Sequence, residues 1–152
     1  MTAPNRVYTL VGDGRTWIPM PVIDIARTDV MTASRDQSAG NLATVMKEEK
    51  VGSVISENDG GPVGIVADRD LVIGVLEPRS DPTTTTAEAV MTETPVTVDG
   101  DQGVFDAIRT LRESSVRRLP VVDENDAVAG IVTLDDLVVL LSDELDSLSE
   151  II

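Results

Sequence analysis

The sequence predicts a mixed α/β (α+β) fold in which two similar units, each ordered strand-helix-strand-strand-helix, pack with pseudo-two-fold symmetry. Three observations predict it. The chain repeats itself: Asp36-Gln37-Ser38 returns 65 residues on as Asp101-Gln102-Gly103, and Val51-Gly52-Ser53-Val54-Ile55 returns in kind as Val116-Arg117-Arg118-Leu119-Pro120. Gly64-Ile65-Val66-Ala67-Asp68-Arg69-Asp70-Leu71 returns 66 residues on as Gly130-Ile131-Val132-Thr133-Leu134-Asp135-Asp136-Leu137, one extra residue falling in the intervening turn. Within each copy, short β-branched runs flank segments of helical spacing. Neither copy is large enough to bury a sheet alone, so each is expected to complete the other and to leave a cleft where they meet.

Residues 1–21 stand outside the repeat and read as an N-terminal arm that packs on the body or on a partner chain. Val7, Tyr8, Leu10 and Val11 suit a short strand, and Pro19-Met20-Pro21 disfavours helix. The first repeat spans 22–78. Val22 to Ala26 forms a helical turn or an extended lead-in, and Val30-Met31-Thr32 a brief strand. Asp36 or Ser38 caps a helix whose apolar face is Ala39, Leu42, Ala43 and Met46. Gly52 lies at or just past its end. Val54-Ile55 and Val63 to Val66 are strands joined by a turn at Asn58-Asp59-Gly60-Gly61. A helix from Asp68 to about Leu76 is stopped by Pro78.

Residues 79–86 form a polar linker, with four threonines favouring extended chain. The second repeat spans 87–146. It has a strand at Val96-Thr97-Val98, a helix lined by Val104, Ile108 and Leu111, and strands at Leu119 to Val122 and Val128 to Val132. Pro120 is expected where no ladder donor is needed. The last helix carries a stripe of Leu134, Leu137, Val138, Leu141, Leu145 and Leu148 that overruns the point where the first repeat stops. That overhang covers the fold's own flank or docks a second subunit. Residues 147–152 are a C-terminal tail.

Composition narrows the function. The apolar fraction is 41% and the aromatics are Tyr8, Trp17 and Phe105 alone, so the core is aliphatic. A net charge of −15 opposes nucleic acid and anionic membrane surfaces, while serving solubility. Ten Arg against Lys47 and Lys50 in so acidic a chain resembles proteins of high-salt cytoplasm. With no Cys and no His there is no disulfide framework, zinc site or Ser-His-Asp triad. No apolar run approaches the ~20 residues of a membrane span, and no signal peptide is visible. A cytoplasmic location follows as the expectation.

The ordered blocks Val51 to Ile55, Val90-Met91-Thr92, Leu119 to Asp123 and Gly130 to Leu137 resemble a tandem pair of cystathionine β-synthase-type (CBS) domains, a Bateman module, over about residues 22–145. The gapless register pairs Ile25-Ala26-Arg27, rather than Val30-Met31-Thr32, with Val90-Met91-Thr92. The resemblance implies sheet-mediated pairing of the repeats, frequent homodimers, and an adenine nucleotide or S-adenosylmethionine as regulatory ligand, with no catalysis and no resident cofactor.

The segment Gly130 to Asp136 carries a strand to a helix N-terminus, where unpaired N–H groups and a partial positive charge suit phosphate. By resemblance, Asp136 holds a ribose and Thr133 a phosphate. A plainly capped helix uses the same two residues without a ligand. Arg117 and Arg118 supply local positive charge, or are surface arginines. Thr94-Pro95-Val96 and Leu119-Pro120 suit an apolar slot for adenine, though each is also an ordinary strand residue. In the first repeat Ala67 replaces Thr133 and Asp68 replaces Leu134, while Asp70 keeps the ribose role. That site is expected to be weaker, or to prefer a neutral or cationic group.

Three functions are weighed. One is a sensor of AMP, ADP, ATP or S-adenosylmethionine, acting on an effector protein on another chain. Another is a ligand-free dimerising scaffold, consistent with Ala67 and the surplus carboxylates. The third is an enzyme using two carboxylates or magnesium, which no motif supports.

Overall fold

The computed structural model describes the backbone of residues 8–11 and 16–19 and the whole of residues 20–152. Strand β1 (Tyr8–Val11) pairs antiparallel with β2 (Thr16–Pro19). Val7, expected in the first strand, lies outside the described residues. The remaining chain forms two compact units, each drawing on both repeats. One comprises residues up to Arg27 with Val96–Val121 and Gly130–Ile152, here the terminal unit; the other, the central unit, comprises Thr28–Pro95 with Val122–Ala129.

The central unit has a four-stranded sheet, β3 (Thr32–Ala33), β4 (Ser53–Asn58), β5 (Gly61–Ala67) and β6 (Thr92–Glu93), in that spatial order. β3 runs parallel to β4; the other pairs are antiparallel. The β4–β5 turn has positive φ at both Asp59 (51°) and Gly60 (83°), the geometry that matches hairpin twist. Helix α1 (Ala39–Glu49) starts at Ser38, whose Oγ accepts the Asn41 N–H at 3.2 Å, and stops at Lys50 in the left-handed region. Leu42, Met46, Val54, Val66 and Ala87 make the core, while Ala43, expected on the buried face, is exposed.

Helix α2 (Asp68–Leu71) gives way to a π-helix, Val72–Leu76, which corrects the expectation of one α-helix to Leu76. The cause is local. Pro78 has no N–H to return to Gly74, and the ladder moves to i+5, with Glu77 N–H on Val72 O and Ser80 N–H on Val75 O, both at 2.9 Å. Residues 79–86 are not simply extended. Asp81 caps a turn there, and the carbonyls of Pro82 and Thr85 accept the N–H groups of Gly40 and Ala39. The short helix α3 (Ala87–Val90) leads into β6.

In the terminal unit the sheet order is β7 (Val98–Asp99), β8 (Arg118–Val122), β9 (Val128–Thr133). Helices α4 (Val104–Ser114) and α5 (Leu134–Ser149) accompany it. The core joins Met20 and Val22 to Val98, Val104, Leu111, Leu119, Val121, Val132, Leu137 and Leu140. The first strand starts later than the expected Val96. In the central unit Ile55 donates its N–H to Met31 O at 3.0 Å. The equivalent donor in β8 is Pro120, which has none, so Val96 cannot be held the same way. In α5 the buried line is Leu137 and Leu140, while Val138, Leu141, Leu145 and Leu148 form an exposed line beside it. The expected single stripe therefore splits into a core face and a bare face. Among the described residues no helix is long and apolar enough to cross a membrane.

Several backbone hydrogen bonds recur at equivalent places in the two units. Val22 N–H to Gln102 O (2.7 Å) matches Ala87 N–H to Gln37 O (2.8 Å), and Val104 N–H to Met20 O (3.0 Å) matches Ala39 N–H to Thr85 O (2.8 Å). The bridge Arg27↔Ile131 matches the β5–β6 pair Ile65↔Thr92. The lead-in of each repeat thus closes the sheet that carries the other repeat's last strand. This supports the gapless register, with Arg27 opposite Thr92 and not Thr32.

Candidate functional site

The head of α5 is built from the strand-to-helix step that both repeats share. Thr133 ends β9 in extended conformation, and its Oγ1 accepts the Asp136 N–H at 3.1 Å. Asp136 Oδ2 in turn accepts the Thr133 N–H at 3.3 Å, a reciprocal capping box. The Leu134 N–H goes to the carbonyl of Arg117 at 2.8 Å, so the chain before β8 is stitched to the helix head. Two of the orphan donors expected to face a phosphate are therefore already used.

The remaining Asp136 oxygen is also engaged. Arg27 Nη2 donates to Asp136 Oδ1 at 2.8 Å; the Arg27 side chain is 59% exposed and that of Asp136 only 19%. Backbone pairing places this arginine. Arg27 and Ile131 exchange both N–H···O bonds at 3.0 Å, which sets the side chain beside the residues that follow β9. Arg27 was not among the candidates read from the sequence. The signal was the register, which puts a cation where the other repeat has Thr92.

The other candidates divide between the units. In the terminal unit, Arg117 is exposed and pairs loosely with Asp135 at 3.7 Å, a geometry worth little in water. Arg118 opens β8 half-buried, Val96 is exposed just before β7, and Leu119 and Pro120 are buried in β8. Leu119 packs in the aliphatic core rather than facing a slot. In the central unit, Asp70 Oδ2 accepts the Ala67 N–H at 2.7 Å, half of the capping box, since Ala67 has no hydroxyl to complete it. Thr94 sits at φ 48° with its N–H on Val63 O, followed by half-buried Pro95. The structure thus gathers Thr133, Asp136, Arg117 and Arg27 at one helix head, while Asp70, Thr94 and Pro95 belong to the other unit. Among the described residues no group of three or more carboxylates is arranged to hold a metal.

A doubled strand-to-helix step with a carboxylate three residues in, each repeat closed by the other's lead-in, is a specific arrangement. The sequence pattern of the CBS domain matches it twice, over residues 22–77 and 87–143. The chain belongs to the CBS domain family. It is a tandem CBS pair. It is 37% identical over 115 residues to an uncharacterised protein of Methanopyrus kandleri, covering 75% of this chain and 59% of that one. The chain therefore spans less than two thirds of that relative's length. Two CBS structures share the fold. The CBS domain pair of protein MJ0100, in complex with 5′-methylthioadenosine and S-adenosyl-L-methionine, is 24% identical with a TM-score of 0.73, covering 82% of this chain and 98% of that one. A CBS domain protein of Pyrobaculum aerophilum complexed with AMP is 22% identical with a TM-score of 0.70, covering 77% and 89%.

Proposed function

We propose that this CBS pair is a cytoplasmic regulatory module that binds an adenosine-containing ligand (AMP, ADP, ATP or S-adenosylmethionine) and passes the binding event to an effector protein as a homodimer. The ligand is an effector and not a resident cofactor, and the module itself performs no catalysis. The observation that carries this reading is the Thr133–Asp136 pair at the head of a sixteen-residue helix, in a family whose members share this fold with AMP- and S-adenosylmethionine-bound proteins. In this reading Asp136 takes the ribose hydroxyls, Thr133 and Arg117 the phosphate, and the exposed Val96 the adenine edge. A ligand regulates only by binding one arrangement of the protein better than another.

Calorimetry with AMP, ATP and S-adenosylmethionine, at low and at molar salt, tests the reading, together with mass spectrometry of whatever co-purifies. Binding tighter than about millimolar is expected for at least one of them. A second reading is favoured by one specific observation, the occupation of Asp136 by Arg27. It holds that the sites have decayed and the chain is a ligand-free dimerising scaffold. A melting temperature indifferent to every nucleotide, in a stable dimer, selects that alternative.

A further inference from the structure

The segment that leads from α3 into β6 seats in two glycine hollows. A Cβ on Gly64 of β5 would fall on the sulfur of Met91, and one on Gly74 of the π-helix would lie 2.8 Å from Cγ1 of Val90. Met91 is half-buried, packed against the core of Leu42, Met46, Val54, Val66 and Ala87. Beyond it the backbone hold is short. β6 pairs through Gly64↔Glu93 and Ile65↔Thr92, followed by the Thr94 N–H on Val63 O at 3.2 Å. Thr94 is β-branched, precedes a proline and has φ 48°, a conformation that costs free energy and persists where its surroundings impose it. The segment is strained at one end and fastened by a thioether at the other. The terminal unit is built differently. Ala26 stands where Met91 does, Arg27 and Ile131 exchange both hydrogen bonds, and Asp29, the counterpart of Thr94, has no positive φ.

We propose that Met91 is an oxidation site, and that its sulfoxide frees residues 91–95 from β5. The oxidant is hydrogen peroxide or another hydroperoxide. A lone pair on Sδ attacks a peroxide oxygen and the O–O bond breaks, so that sulfide and hydrogen peroxide become sulfoxide and water. The sulfur gives up two electrons and the peroxide takes them. The side chain then carries a polar S=O group, and burying that group among aliphatic side chains without a donor is unfavourable. Being flexible, the side chain leaves its hollow for solvent. The short β6 ladder is then left to hold the strained Thr94. Oxidation acts on the central unit alone, because Ala26 in the terminal unit has no sulfur to oxidise.

The chain has no cysteine, so methionine is its only sulfur. Peroxide treatment of the folded full chain, followed by peptide mass mapping, is expected to place one added oxygen on Met91. Met20 and Met46, each 9% exposed, are expected to stay unmodified. Amide hydrogen exchange at Thr94 is expected to quicken about tenfold or more, the scale set by a methionine's lost burial, with exchange in α4 and α5 unchanged. Methionine sulfoxide reductase is expected to reverse both changes. Met91→Leu fills the hollow without sulfur, and its Thr94 exchange is expected to stay slow after the same treatment. Three results would each overturn the proposal: an unmodified Met91 in the folded chain, unchanged Thr94 exchange with Met91 oxidised, or equally quickened exchange in treated Met91→Leu. The wild-type measurements decide the matter even where the variant fails to fold. Calorimetric failure to bind nucleotide changes none of these readouts, so the two readings fail separately.

Discussion

The guanidinium of Arg27 lies 2.8 Å from the carboxylate of Asp136, on the one oxygen that the capping box leaves open. A ribose reaching Asp136 must share or displace that contact, and a phosphate beside Thr133 arrives within reach of the displaced cation. In the proposed reading, Arg27 thus opposes a neutral nucleoside and favours a charged nucleotide. Arg27→Ala is expected to lower the preference for AMP over adenosine about tenfold, the scale of one charge-assisted hydrogen bond. Calorimetric affinities for both ligands measure it. If both bind and the ratio does not move, Arg27 plays no part in ligand choice.

Most of the fold was legible because it rests on backbone rules that the sequence displays twice. The offset of the repeats, the spacing of Leu42 and Met46, and the Asp59-Gly60 turn each follow from local chemistry. What was not legible depended on partners distant in sequence. The π-helix at Val72–Leu76 arises from a missing donor at Pro78, and the short β7 from a missing donor at Pro120. Sequence makes Pro78 a helix stop and sets Pro120 where no ladder donor is needed, but it does not point to the carbonyl that each leaves without a donor. At the candidate site, Thr133 and Asp136 declared themselves by spacing. Arg27 did not, because 109 residues separate it from Asp136 and only the pairing with Ile131 brings it there.

Ser56 stands where the other repeat has Val121, and its hydroxyl is buried with no hydrogen-bond partner. A buried hydroxyl left unsatisfied costs about 1–3 kcal/mol. Ser56→Ala removes the group without adding bulk and is expected to raise unfolding stability by about 1 kcal/mol. Urea titration followed by circular dichroism reads this as a higher midpoint with an unchanged slope. A lower midpoint would mean that the hydroxyl has a partner after all.

Gly64 and Gly130 occupy equivalent places, each passed closely by the other repeat's lead-in. A Cβ on Gly130 would meet the backbone carbonyl oxygen of Arg27 at 2.9 Å, whereas one on Gly64 would meet the Met91 side chain. A methionine side chain can move, but a carbonyl in a reciprocal hydrogen-bonded pair cannot. Gly130→Ala is therefore expected to cost about 2–3 kcal/mol and Gly64→Ala about 1 kcal/mol, within the range for overpacked sites. Thermal or urea unfolding of the two variants side by side tests the order. Equal losses would show that the Arg27–Ile131 bridge yields as readily as a side chain.

Asp81 accepts hydrogen bonds from the hydroxyl of Thr83 at 2.7 Å and from its backbone N–H at 2.8 Å. The hydroxyl bond first, and the backbone bond second, hold this carboxyl below its ordinary value of 3.8. The sign follows directly. A carboxylate whose pKa is lowered by folding favours the folded turn above the ordinary value and loses that contribution as pH falls through the lower, folded one. Because Asp81 is fully exposed, the effect should appear in the local turn and leave global stability almost untouched. Carboxyl NMR titration is expected to place the Asp81 midpoint below 3.8, and Thr83→Ala, which keeps the backbone donor, should bring it part of the way back. A midpoint at or above the ordinary value in the wild-type chain would mean that the turn before Ala87 is not held by this carboxylate.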